Sequence, residues 1–410
     1  MQIERLVCAE WGWAEYREAA DCLLFERPRS GAGCAAMLAE FSRLYPQSVF
    51  LPVNRGRLAL ASALRVLART RSGKTEVIYP AYICASVIAA IERAGLVPVP
   101  ADIGPDLNID VAQAARVVGS NTLAIIAAHV YGCPTAVGEF EKLCRSRDIF
   151  LVDDAACLVG VAGDDGRMLG SFGAAGIVSF TASKSIVSGG FNAGGLLLVN
   201  DPELVPAMRR EWEALPEPRF QISDLLLFLR DQQLETYSRS AVYYWSALRR
   251  RLSRHYDGRH ICPPARMADF SARLALRQLA SLDRRIAGRV RVAEAFARRV
   301  AAMPGIGFPQ YRPGRYLTRI VLQLPTGSDL AAVQAGLRQH GIETRRGYEL
   351  DLRYGNAFAR ALAVAPLLIE LPSHSRMAEA AIDRICAALG EVVGGAAFAP
   401  CPMRQSAIAG

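Results

Sequence analysis

Two stretches decide how this chain folds: Ile149-Phe-Leu-Val-Asp-Asp154 and Gly176-Ile-Val-Ser-Phe-Thr-Ala-Ser-Lys184. Each opens with a short apolar run and ends on polar residues. A strand that is apolar throughout, rather than at alternate positions, is buried on both faces, as in a parallel sheet covered by helices. The same pattern recurs in Glu76-Val-Ile-Tyr79, closed by Pro80, and in Val97-Pro-Val-Pro100. It recurs again in Leu123-Ala-Ile-Ile-Ala-Ala128 and Gly195-Leu-Leu-Leu-Val199. Helical patterns fill the gaps, over residues 57–69, 85–94 and 139–146. The expected class is α/β, with a mostly parallel central sheet and helices on both faces.

The 410 residues are enough for two or three domains at roughly 100–200 residues each. Residues 1–45 read as an N-terminal helical segment and 46–262 as the large α/β domain. Residues 263–410 read as a smaller α+β domain. It has one helix from Met267 to about residue 299, a strand at Arg319-Ile-Val-Leu-Gln323 and a helix over 329–339. A strand at Leu367-Leu-Ile-Glu-Leu371 and a terminal helix over 377–392 complete it. The rhythm breaks over 201–262, where Leu225-Leu-Leu-Phe-Leu-Arg230, Tyr243-Tyr-Trp245 and Arg249-Arg-Arg251 make a helical, aromatic and basic insertion. It is expected to pack on the core or on a second subunit. The alternative is a basic face over 223–253 resting on a membrane surface.

Composition excludes several classes. Hydrophobic residues are 51% and charged residues 21%, which argues against a disordered chain. No apolar run reaches the length of a membrane span, and Met-Gln-Ile-Glu-Arg5 opens no secretory h-region. Ten cysteines without a C-x-x-C pair point to buried thiols in the cytoplasm, with neither zinc site nor disulfide framework. The net charge is +9, and only Lys74, Lys142 and Lys184 are lysines among 48 basic residues. Arginine cannot offer a neutral nucleophilic nitrogen, so a lysine kept against this bias can mark chemistry. Charge alone brings no nucleic-acid motif, and no nucleic-acid partner is expected.

Ligands of open α/β sheets bind at the carboxyl ends of the strands. Those ends carry Pro80-Ala-Tyr-Ile-Cys-Ala-Ser86, His129-Val-Tyr-Gly132, Asp153-Asp154, and Ser179 with Lys184. Singly, each has a plain reading: a strand-end Asp caps helices, and a strand-end His satisfies a hydrogen bond. Together, a carboxylate and a rare amine on one rim suit a Schiff-base site whose acid keeps a ring nitrogen protonated. Asn54-Arg-Gly56-Arg-Leu-Ala-Leu60 precedes a helix whose first N–H groups could take a phosphate. Gly189-Gly190 and Gly194-Gly195 follow Lys184 and allow a close backbone approach or a plain hairpin.

With these segments in order, the chain resembles the DegT/DnrJ/EryC1/StrS family of enzymes dependent on pyridoxal 5'-phosphate (PLP), mostly nucleotide-sugar aminotransferases. The resemblance runs from about Gly56 to Ala388. It is carried by Gly56-Arg-Leu-Ala-Leu60, Glu76-Val-Ile-Tyr-Pro-Ala-Tyr82, Asn108-Ile-Asp110 and His129-Val-Tyr-Gly-Cys-Pro134. Further on, Val152-Asp-Asp-Ala-Ala156, Ser179-Phe-Thr-Ala-Ser-Lys184, and Arg266-Met-Ala-Asp-Phe-Ser-Ala272 leading to Gln278-Leu279 carry it. It implies the fold type I architecture and a homodimer. It also implies a two-stage transfer of nitrogen from an amino donor, usually glutamate, to a keto sugar. Lys184 would carry the cofactor as a Schiff base and later move the α-proton. Asp154 would pair with the pyridine nitrogen, and Ser179 would bind the phosphate with the backbone at Gly56 and Arg57.

The sequence departs from the family pattern around the cofactor. Cys84 stands where an aromatic residue usually stacks on the ring, Arg57 where a Ser or Thr follows the phosphate-loop Gly, and Cys157 where Gln or His is common. Pro264 replaces an Asn that often reaches the neighbouring subunit, and Gly347-Tyr-Glu-Leu350 replaces a His-Tyr-Pro-type sugar loop. Tyr82, His129, Tyr131 and Tyr348 are candidate substrate contacts. Arg266, Arg315 and Arg345 are expected at the solvated surface, with substrate anions as their alternative. Three readings remain: an amino-sugar aminotransferase; a PLP enzyme of the same fold performing dehydration, cyclisation or carbon–carbon chemistry; and a ligand-binding relative without turnover.

Overall fold

The computed structural model describes residues 4–6, 8, 10–24, 31–182, 184–189, 192–218 and 263–396. Most of the basic insertion, with its 223–253 face, lies outside the described residues.

Seven strands form the main sheet: β1 (Val49–Val53), β2 (Glu76–Pro80), β3 (Val97–Ala101), β4 (Thr122–Ala128), β5 (Phe150–Asp154), β6 (Ala175–Ser179) and β7 (Gly195–Val199). Their order is β1-β7-β6-β5-β4-β2-β3. The pairs from β6 through β5, β4 and β2 to β3 are parallel, and β7 is antiparallel to both its neighbours. All residues of β4, β6 and β7 are buried, which explains their uninterrupted apolar runs. The sequence pattern of a two-face core is thereby realised. One core gathers Leu58, Leu64 and Leu67 of helix Gly56–Thr70 with Ile88 and Ile91 of helix Ala85–Arg93. The other gathers Phe41, Phe140, Phe172 and Phe180.

A smaller antiparallel sheet has the order β8-β10-β9, from Ile320–Gln323, Leu368–Leu371 and Arg345–Arg346. Helices Leu282–Val300, Leu330–Gln339 and Glu379–Ala396 accompany it, and their apolar faces share a core through Phe296, Val333, Leu337, Ile382 and Ile385.

Two expectations change. The helix expected from Met267 to about residue 299 is two, Asp269–Leu279 and Leu282–Val300, broken at Ala280-Ser281. The first packs on Ala32–Leu44 beside the large sheet, where Asp269 accepts the Cys34 N–H at 2.9 Å. Strand β1 had no sequence signal because Pro52 argues against a strand. It sits at the sheet edge, where proline is tolerated, and the Pro52 carbonyl accepts the Trp212 indole N–H at 2.7 Å and the Met267 N–H at 3.2 Å. Strand β5 ends at Asp154, so the expected pair of carboxylates closes it.

The N-terminal segment is tied down by charge. Glu18 accepts from Arg273 and Arg277, each at 2.6 Å. Glu10, almost wholly buried, accepts from Arg289 at 2.5 Å and from the Ser375 N–H at 3.1 Å. Burial would raise the Glu10 carboxyl, but the Arg289 and Arg285 guanidiniums and Ser375 outweigh it and hold it at about 2. A depressed carboxyl stabilises the fold above its unfolded value, and that contribution is lost as pH falls from about 4.5 to about 2. Glu10→Gln, which leaves Arg289 buried without its counter-charge, is expected to cost about 3 kcal/mol at neutral pH. It should also flatten the acid limb of the stability curve; urea unfolding across pH, with an unchanged midpoint and acid limb, would refute the linkage.

Candidate active site

The pleat of β5 separates two adjacent carboxylates. Asp153 points to the inner side and has no exposure. Its Oδ1 lies 2.8 Å from His129 Nε2, and its Oδ2 accepts the Gly170 and Phe172 N–H groups at 2.6 and 3.2 Å. The Thr135 N–H donates to His129 Nδ1 at 3.0 Å, so this nitrogen is an acceptor, and the network assigns the imidazole proton to Nε2, which donates to Asp153. Asp154 faces the other way, into a cavity of about 610 Å³. Its Oδ1 accepts the Ala156 N–H at 3.0 Å. Burial raises the Asp154 carboxyl, and Lys184, the Ala156 N–H and His129 only partly offset it.

Lys184 lines the same cavity, and its Nζ donates to the Cys157 sulfur at 3.1 Å. Burial disfavours the charged amine and Arg319 adds to that. The Cys157 and Cys84 sulfurs act the other way, and the balance is upward.

An anion cradle forms the opposite wall. Helix Gly56–Thr70 starts at the cavity with no side chain capping it and no acidic residue in its first turn. Ser179 and Thr181 hydroxyls, 3.3 Å apart, lie with Arg55 and Arg57 along the same lining. Gly56 is required by proximity: a Cβ there would stand 2.8 Å from Ser179 Cβ. Backbone N–H groups, a hydroxyl and a guanidinium around a helix start suit a phosphate.

The third wall comes from the small sheet. Tyr348 lines the cavity and stacks on Tyr131, with ring centres 4.6 Å apart and planes 8° from parallel. Its N–H donates to the Tyr82 hydroxyl at 3.1 Å, which lies 3.0 Å from the Tyr131 hydroxyl. Gly347 permits this, since a Cβ there would fall 2.0 Å from the Tyr82 hydroxyl oxygen. Beside it, Glu370 of β10, 1% exposed, accepts from Arg319 at 3.0 Å and from Arg345 at 2.5 Å.

Sequence and structure can now be compared residue by residue. The cavity gathers Gly56, Arg57, Cys84, Asp154, Ser179, Lys184 and Tyr348. Cys157 meets the amine from below. Tyr82, Tyr131 and His129 are corrections: they support the wall from behind, fully buried, and His129 has both nitrogens committed to structural bonds. Arg345 is exposed, as expected, and also lines the cavity; Arg315 pairs with Asp164, and Arg266 lies over the Trp212 ring with its Nη1 donating to Glu217 at 2.6 Å. Arg55, Thr181, Arg319, Arg346 and Glu370 were missed. Arg55 and Thr181 lie inside the quoted motifs, whereas Arg319 and Glu370 meet only through the pairing of β8 with β10.

The residues fit PLP. A buried carboxylate, an amine and an uncapped helix start share one cavity, and these match the cofactor's ring nitrogen, aldehyde and phosphate. The fold and this donor set define a PLP enzyme of fold type I. The model of the DegT/DnrJ/EryC1/StrS aminotransferase family matches residues 15–390, and the chain belongs to that family.

A GDP-perosamine synthase of Caulobacter vibrioides is 27% identical over 358 residues, 83% of this chain and 84% of that one. A second, from Vibrio cholerae, is 27% identical over 208 residues, where the match spans 48% of this chain and just over half, 55%, of the relative. A dTDP-4-dehydro-2,6-dideoxy-D-glucose 3-dehydratase of Saccharopolyspora spinosa is 26% identical over 336 residues, 78% of this chain and 69% of that one. Among solved structures, PseC of Helicobacter pylori, an aminotransferase of pseudoaminic acid biosynthesis, superposes with a TM-score of 0.77 at 16% identity, covering 96% of this chain and 100% of that one.

Lys184→Arg keeps the charge and removes the only amine lining the cavity among the described residues. It is expected to abolish borohydride-trapped pyridoxyl adduct completely. Peptide mapping that finds the adduct in this variant, or on Lys74 or Lys142 in the wild type, would contradict the site.

Proposed function

We propose that this aminotransferase moves an amino group from glutamate to a keto sugar on a nucleotide carrier, as a cytoplasmic homodimer. The observation that carries the reading is the single cavity in which Asp154, Lys184 and the open start of helix Gly56–Thr70 converge. The family and the perosamine synthases favour this substrate class. Among the described residues, no helix is long and apolar enough to cross a membrane.

Bound PLP supplies an electron sink for the negative charge that develops when the α-proton leaves. The protein residues have these roles in the proposal. The Gly56 and Arg57 N–H groups, the Arg57 guanidinium and Ser179 hold the phosphate. Asp154 accepts the ring N–H and stays ionised, since a cation in contact offsets the burial that raises it alone. Lys184 fixes the cofactor and then, as a free amine, carries the proton between adjacent carbons. The Cys157 sulfur orients its Nζ. Cys84 offers a smaller, softer face than an aromatic ring, leaving room on that side. Arg345 and Arg346 give the sugar end of the cavity a positive edge.

A second reading, dehydration, is favoured by the 3-dehydratase match and by Cys84. Mass balance separates the two. With glutamate and a nucleotide-linked keto sugar, the proposal expects stoichiometric 2-oxoglutarate and amino sugar; water loss without 2-oxoglutarate supports the second reading. Asp154→Asn is expected to retain a trapped adduct while lowering turnover roughly 100-fold or more, read from single-turnover absorbance. Wild-type turnover in that variant would remove Asp154 from the mechanism.

A further inference from the structure

A second cavity, of about 300 Å³, lies where the N-terminal segment meets the start of helix Leu282–Val300. It shares no lining residue with the first. Arg285, 6% exposed, stands in its wall, and neither its Nε nor its Nη2 has a hydrogen-bond partner. Unmade hydrogen bonds on a buried charge are costly, and native structures rarely leave them without reason.

Glu10 and Glu15 lie close enough to attract Arg285, but neither accepts a hydrogen bond from its Nε or Nη2. Glu10 is committed to Arg289 and Ser375. Glu15 Oε2 accepts the Gly12 N–H at 2.8 Å. The remaining lining is rich in donors. Arg284 and Arg376 stand exposed at the rim. Ser281, the N-cap of the helix, lines the cavity and its side chain makes no capping bond, although Asp283 stands in the helix's first turn. With Arg289 included, four guanidiniums stand against two carboxylates, Glu10 and Glu15.

We propose that this cavity binds a phosphate group, as inorganic phosphate or as the end of a small phosphate ester. A planar carboxylate would satisfy one guanidinium edge. A tetrahedral dianion accepts from several directions at once, which matches Arg285 below, Arg284 and Arg376 above and the helix start at the side. The site is separate from the cofactor's phosphate cradle, and the reaction proposed above does not require it.

The test uses borohydride-reduced holoenzyme, so that the active-site cradle is already filled. Calorimetric titration with inorganic phosphate, with sodium chloride at equal ionic strength as control, should show one phosphate per chain. Arg285→Met should weaken binding at least tenfold, read on protein that circular dichroism shows to be folded. Arg376→Gln, at the exposed rim, should weaken it several-fold and decides the matter if Arg285→Met does not fold. Glycerol 1-phosphate binding more tightly than phosphate assigns an ester, and weaker binding assigns the free anion. No phosphate binding above the chloride control, succinate binding as tightly as phosphate, or affinity unchanged in both variants would overturn the proposal. Failure of cofactor trapping is a separate outcome: the cradle would then be open, and phosphate would show a further site insensitive to Arg285.

Discussion

The alternation of a single β-strand governs this active site. At the end of β5 two carboxylates follow one another, and the pleat must send them to opposite faces. Asp153 is consumed by His129 and two backbone amides, which anchor the strand end to the β5–β6 connection at Gly170 and Phe172. Asp154 is thereby held facing the cavity, with one oxygen committed to Ala156. The structural acid fixes the direction of the chemical one, and a one-residue slip would exchange them.

Much of the large unit was legible because its strands are buried on both faces and its helices start and stop near Gly and Pro. What escaped shows why. Strand β1 carries Pro52, which only its edge position excuses. The break at Ala280-Ser281 lacks both Gly and Pro, so helical periodicity runs straight through it. In the site, Lys184, Asp154 and Ser179 were readable because each closes or follows an apolar run, and Gly56 because it opens a helix. Arg319 and Glu370 were not, since 51 positions separate them and only the β8–β10 pairing joins them. His129, Tyr82 and Tyr131 were read at the correct edge but with the wrong role, because proximity to a strand end does not say which way a side chain faces.

Electrostatics in the cavity is divided by wall. The cradle at Gly56 offers a helix start with no side-chain cap and two guanidiniums, the β5 wall a carboxylate that burial discourages from ionising, and the small-sheet wall a carboxylate already neutralised between two guanidiniums. An elongated ligand with phosphate at one end and a protonated ring nitrogen at the other can satisfy the first two walls at once. Cys157 adds a polarizable neighbour to the amine, in a place where a larger polar side chain would demand hydrogen bonds of its own.

The stacked pair of Tyr131 and Tyr348 has a mechanical consequence. One ring belongs to the large sheet's rim and the other to the small unit, and Thr318 crosses the same seam to donate to the Cys157 carbonyl at 2.7 Å. Parting the two units would wet both rings and strand buried donors, so the seam resists gaping. Such a cleft selects its guest as a stiff mould does, rejecting poor fits at entry instead of tightening around good ones afterwards.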